Sequence, residues 1–129
     1  MSIKELVYLG TPYSGTDEEM DFRAGIVDMI SKDLANEGVM VYSPISSWHH
    51  IACKYKMSRD YAFWKNMCET FVSKCDKLIA VMLPGWEKSV GLTGEIETAR
   101  KFGITVEYLD PIPYLKKMGV LVSYKGELK

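Results

Sequence analysis

Residues 79–83, Ile-Ala-Val-Met-Leu, form an unbroken apolar run that ends at Pro84-Gly85 and gives way to a helix-like stretch from Ser89 to a stop at Gly103. A strand with one wet face alternates polar and apolar residues. A short continuous run therefore reads as a strand covered on both faces, as in a parallel sheet. Parallel strands need crossover connections, so a chain built on such a unit has to repeat it.

The repetition is there. Leu6-Val7-Tyr8-Leu9 is a first strand, followed by the turn Gly10-Thr11-Pro12-Tyr13-Ser14-Gly15. Thr16 with Glu19 fits a capping box, and Phe22, Ile26, Met29, Ile30 and Leu34 recur behind it at helical spacing. Gly38 closes that helix, and a second strand over residues 39–42 stops at Ser43-Pro44. Residues 44–57, which hold Trp48, His49, His50 and Cys53, show no clean period and read as a loop with at most a short helical turn. Ser58 is expected to cap a helix running to about Lys74, with Trp64, Met67 and Phe71 in the core. A third strand spans residues 78–83 and a fourth 104–108. Pro111 starts a short helix through Lys117, and residues 120–124 are expected to form a last, peripheral strand.

This order predicts one α/β domain over residues 1–129, a three-layer flavodoxin-like or Rossmann-like fold with a parallel sheet of about five strands. A chain of 129 residues, 47% hydrophobic and 26% charged, has the composition of one soluble globular domain. A formal net charge of −1 argues against nucleic acid or an anionic membrane as partner. No run approaches the roughly 20 apolar residues of a membrane span. The start of the chain has no signal-peptide pattern, and three cysteines without CxxC spacing fit reduced thiols, so the expected location is cytoplasmic.

In such sheets ligands collect where strand ends lead into helix N-termini. The loop Ser89-Val90-Gly91-Leu92-Thr93-Gly94 offers a hydroxyl, glycines that admit a ligand to the backbone, and helix-start amides that favour an anion. Glu95 follows about one turn into that helix, where a carboxylate suits covalent or acid–base chemistry at a sugar carbon. The plainer role for Glu95 is to complement the helix dipole, and for Ser89 to cap the helix. His49, His50 and Cys53 do not make a zinc pattern, so no metal is expected; His49 or Trp48 is a candidate ligand contact. Lys54, Lys56 and Arg59 read as a solvated face.

Taken together, Ser89-Val90-Gly91-Leu92-Thr93-Gly94-Glu95 with Ala99 and Gly103, Tyr8 with Gly10-Thr11-Pro12-Tyr13-Ser14, and the run from Cys75-Asp76 to Trp86 resemble the nucleoside 2-deoxyribosyltransferase-like superfamily. The likeness is closest to a subgroup of small phage and bacterial members, near the nucleoside 5′-monophosphate N-glycosidases. It implies that Glu95 is the nucleophile at the anomeric carbon and that Tyr8 orients it. It implies that Ser89 and Gly91 hold the 5′ end of the substrate. A serine at 89, rather than a carboxylate, suits a phosphate. Tyr13 and Trp86 become candidates to stack on the base. Gly10, Thr11, Ser14, Arg23 and His49 are further substrate-binding candidates. No cofactor is implied, and a homodimer or higher homo-oligomer is.

One position departs from the superfamily pattern. An Asp is expected eight residues before Asp76, and Cys68 stands there with Glu69 beside it. Glu69 or Asp60 is then the candidate substitute acid. The alternative function is a catalytically weakened protein that binds or sequesters a nucleotide. A flavin protein fits less well, because the first loop lacks a Ser/Thr-rich phosphate cradle.

Overall fold

A computed structural model describes residues 4–119. Four strands, β1 (Leu6–Gly10), β2 (Met40–Tyr42), β3 (Lys77–Val81) and β4 (Thr105–Leu109), form one parallel sheet in the order β2-β1-β3-β4. The described residues thus hold one strand fewer than the five expected; the call on residues 120–124 lies outside them. Five helices connect or follow the strands: α1 (Asp17–Asn36), α2 (Pro44–Lys54), α3 (Tyr61–Lys74), α4 (Val90–Lys101) and α5 (Ile112–Lys117).

Alternation along the strands divides the core in two. Tyr8, Leu78 and Ala80 face α3 and α4, meeting Cys68, Val72, Leu92 and Ile96. Leu9 and Val81 face the other way, onto Ile26 and Ile30 of α1 and Leu115 of α5. The result is the three-layer α/β architecture expected. Burying an Ile or Leu side chain in such a layer contributes roughly 1.5–3 kcal/mol, and each face carries several. No helix among the described residues is long and apolar enough to cross a membrane.

From β1 the chain moves outward to β2, then returns past β1 to β3. Crossovers therefore leave in opposite directions on either side of β1, and the loops at its carboxyl end part into a crevice. Thr16 caps α1 in a full capping box with Glu19, as its spacing predicts.

Three local expectations are corrected. Residues 44–57 are mostly helix, not loop: the Ser43 hydroxyl accepts from the Ser46 amide at 3.1 Å and Pro44 occupies the first turn. The apolar period was absent because α2 turns an aromatic and histidine face toward the crevice rather than a face toward the core. Helix α3 starts after Asp60, and Ser58 accepts from the Asp60 amide instead of capping the helix. Met67 and Phe71 are exposed with Phe63, one helical turn apart along α3, and only Cys68 and Val72 of that helix are buried.

Candidate active site

Ser89 caps α4, its hydroxyl accepting from the Leu92 amide at 3.2 Å. The Val90 and Gly91 amides, at the first turn, have no partner within the helix. Glu95 lies one turn further on and is only 4% exposed. The Tyr8 hydroxyl donates to its Oε2 at 2.5 Å. Gly10 passes beneath: a Cβ there would come within 3.2 Å of Glu95 Oε1 and 2.8 Å of Leu92 Cδ1. Gly10 is thus a clearance for the carboxyl group.

Burial pushes the Glu95 carboxyl up to about 8, although hydrogen bonds from Tyr8 and Cys68 pull it down; the Glu69 carboxylate adds to the rise. The same burial, with Glu95 nearby, raises the Cys68 thiol to about 12 and holds the Tyr8 phenol well above its ordinary value. Both stay protonated at neutral pH and act as donors to the carboxylate. No cation neutralises Glu95 among these influences; neutral hydrogen bonds alone offset its desolvation.

Glu95 opens onto a cleft of about 700 Å³, counting the space at its mouth. Cys68, Ser89 and Gly91 line one side. Tyr13, Trp48 and His49 line the other, and Tyr61 and Trp64 of α3 complete the wall. The rings of Trp48 and Trp64 lie 5.2 Å apart and tilted. The Thr11 hydroxyl, on a residue 6% exposed that lines the cleft, has no hydrogen-bond partner. Orphaned hydroxyls are costly when buried, so one at a cleft wall is suited to a polar group of a ligand.

Opposite Glu95 lies a second polar group. His49, 6% exposed, is engaged through both ring nitrogens: Nδ1 with the Tyr13 hydroxyl at 2.5 Å and Nε2 with Asp21 Oδ1 at 2.8 Å. Arg59 lines the cleft beside Tyr13 and is paired with Asp17, which reinforces its positive charge. Donor atoms of Asp21, His49 and Cys53 lie within 4.8 Å of one another, and these three could hold a cation. Helix α2 sets His49 and Cys53 on one face, four residues apart, and Asp21 joins them from α1; the third donor was invisible in the spacing of the sequence.

Most residues singled out from the sequence converge here. Glu95, Thr11, Tyr13, Ser14, His49, Ser89 and Gly91 line the cleft, with Tyr8 and Gly10 packed under Glu95. Three do not. Trp86 sits in a 3-10 turn (Trp86–Lys88) against Tyr108, on the β4 side. It cannot stack on a ligand beside Glu95, because the turn at Gly85 swings it away from the crevice. Arg23 donates to the carbonyls of Ser14 and Tyr13, so it braces the first loop from outside the cleft. Glu69 accepts from the Tyr61 hydroxyl at 3.2 Å and lies behind that ring. Gly94 likewise serves packing: a Cβ there would meet Tyr61 and Glu69 at 3.3 Å. Arg59, Tyr61 and Trp64 line the cleft without a local sequence signal for it, Trp64 reading as a core residue. Arg59 read as one of three solvated charges, and only its pairing with Asp17 distinguishes it.

The model of the family described as Domain of unknown function (DUF1937) matches residues 5–110, and the chain belongs to that family. No curated protein matches it.

Proposed function

We propose that this member of the DUF1937 family cleaves, or transfers at, the N-glycosidic bond of a nucleoside or deoxynucleoside 5′-monophosphate, with Glu95 as nucleophile. The observation that carries the reading is a buried carboxyl group held by the Tyr8 hydroxyl at the floor of an aromatic-walled cleft, one turn from a capped helix N-terminus. The resemblance to the nucleoside 2-deoxyribosyltransferase-like superfamily points the same way.

In this reading the 5′-phosphate lies against the Ser89 hydroxyl and the Val90 and Gly91 amides, with Arg59 as the cation of the cleft. Tyr13 and Trp48 flank the base in place of Trp86. Thr11 meets a sugar hydroxyl. Ionised Glu95, its Oε2 fixed by Tyr8, attacks C1′ through the other oxygen as the base departs. Water or a second base then opens the glycosyl ester. Desolvation makes the carboxylate a stronger nucleophile, at the cost of a smaller ionised fraction at pH 7.

The second reading, a nucleotide binder without turnover, is favoured by Cys68, whose raised thiol is a poor proton donor to a base. Base release from a panel of ribo- and deoxyribonucleoside 5′-monophosphates, followed by chromatography with Glu95→Gln alongside, separates the two. Release that disappears in the variant supports a glycosidase. Silence across the panel, with a nucleotide still raising the melting temperature, supports the binder.

The chain is also proposed to act as a homodimer through the Phe63, Met67 and Phe71 stripe of α3. Met67 is exposed there and lines the cleft as well, so a partner on this face would reach the site. Sedimentation of the purified protein should give twice the monomer mass, and Phe63→Asp should return it to one.

A further inference from the structure

A metal ion is held where nitrogen, sulfur and oxygen donors converge from separate elements, and the edge between α1 and α2 brings three together. His49 and Cys53 stand four residues apart on α2, so one helix face carries both. Asp21 joins them from α1. His49 Nε2 lies 2.8 Å from Asp21 Oδ1 and 3.8 Å from Cys53 Sγ, and donor atoms of all three lie within 4.8 Å of one another. The imidazole is buried, while Asp21 and Cys53 are exposed, which leaves an ion a path from solvent.

We infer that Asp21, His49 and Cys53 form a binding site for one divalent cation of the Zn²⁺ class, with the fourth coordination position left to water. The donor set decides the class. Mg²⁺ and Ca²⁺ take oxygen ligands, whereas a thiolate with an imidazole suits Zn²⁺. In tetrahedral coordination such donors sit roughly 3.4–3.6 Å apart, so His49 Nε2 and Cys53 Sγ are already spaced for an ion. Asp21 Oδ1 has to retreat by roughly 0.6 Å, from hydrogen-bond distance to co-ligand distance. Its side chain, 67% exposed, has the room to do so.

Binding balances in charge and in protons. The Cys53 thiol gives its proton to solvent as the sulfur bonds the metal, so thiolate and carboxylate together offset the two positive charges. The neutral His49 ring ligates through Nε2 and keeps its proton on Nδ1, which donates to the Tyr13 oxygen; metal-bound histidines make such outer-shell contacts. Arg59 Nη1 faces Cys53 Sγ at 3.8 Å and is the cation that the ion displaces, with the Asp17 carboxylate to hold it at the rim. An ion here clamps α1 to α2 and locks the ring that holds Tyr13 at the cleft wall. The site is separate from Glu95 and does not rest on the N-glycosidase reading.

The test titrates the full chain, reduced and stripped with a chelator, first with Co²⁺ and then with Zn²⁺. Wild type should develop a sulfur-to-cobalt charge-transfer band in the near ultraviolet and visible bands of tetrahedral intensity. Cys53→Ser should remove the charge-transfer band, and Cys75→Ala, at a buried cysteine outside the cluster, should keep it. Asp21→Asn should weaken Co²⁺ binding about tenfold or more. Zn²⁺ should displace Co²⁺ at one equivalent per chain and raise the melting temperature of wild type but not of Cys53→Ser. Asp21 and Cys53 are exposed, so both variants should melt like wild type without metal. No charge-transfer band in wild type, or a band that persists in Cys53→Ser, would overturn the site. An affinity untouched by Asp21→Asn would remove the third donor and the site with it. None of these readouts depends on turnover, so a silent nucleotide panel leaves the cation site standing and a failed titration leaves the glycosidase.

Discussion

The two sides of the cleft handle ionisable groups in opposite ways. On the α3–α4 side, Glu95 is buried beside Tyr8, Cys68 and Leu92 at the cleft floor, with no cation among the described residues to balance it, and its acidity is governed by loss of water. On the α1–α2 side, His49 is just as buried, but a carboxylate and a phenol occupy both of its nitrogens, and the chain reaches exposed Asp21. One side raises a carboxyl group by desolvation; the other satisfies a buried histidine by pairing both of its nitrogens.

Replacing Glu95 with Gln is the largest break in that contrast. Base release should fall by at least about 10³-fold. Stability should move the other way. A carboxyl whose folded value, about 8, lies above its ordinary value favours the fold only while protonated. That contribution is complete below about 4.5 and is lost as pH rises through 8, by up to about 1.4 kcal/mol per pH unit. Urea unfolding at pH 5 and pH 8 should show the wild type weakening across this window, and the Gln variant weakening less.

Tyr8→Phe sharpens the contrast by removing a donor that opposes desolvation. The rate kcat/KM should rise with pH through about 8 in wild type, as Glu95 ionises. In the variant that limb should shift to higher pH, and activity at pH 7 should drop by roughly ten- to a hundredfold. A limb that stays in place would mean that Tyr8 only packs.

The smallest effect tests the other side. Arg59→Ala should raise KM for nucleoside 5′-monophosphates about tenfold, the scale of one charge-assisted hydrogen bond. It should leave KM for the corresponding nucleosides unchanged. Equal changes for both would place Arg59 with Asp17 and Tyr13 as a structural brace.

Much of this site was legible in the chain order because its key residues are local to strand ends. Glu95 follows a capping serine by six positions, so helix period places it at the crevice; Tyr8 is reached only through the family resemblance, since strand period alone reads it as core. Residues 44–57 misled because the apolar period marks a face toward a core, and α2 faces a cleft. Trp86 misled because aromatic character says nothing of direction, which the left-handed backbone at Gly85 decides.

By itself, then, the sequence determined the alternation of buried strands and amphipathic helices, the parallel three-layer sheet and the helix after the third strand that bears Glu95. Those follow from burial periodicity, a property of neighbouring residues. Only the tertiary structure decided that Tyr13, Asp21 and His49 are hydrogen-bonded in series, that Arg59 reaches Asp17 at the cleft rim beside Tyr13, and that Trp86 turns toward Tyr108. These contacts join elements tens of residues apart, and their partners are set by how helices pack across the sheet, which no local period encodes.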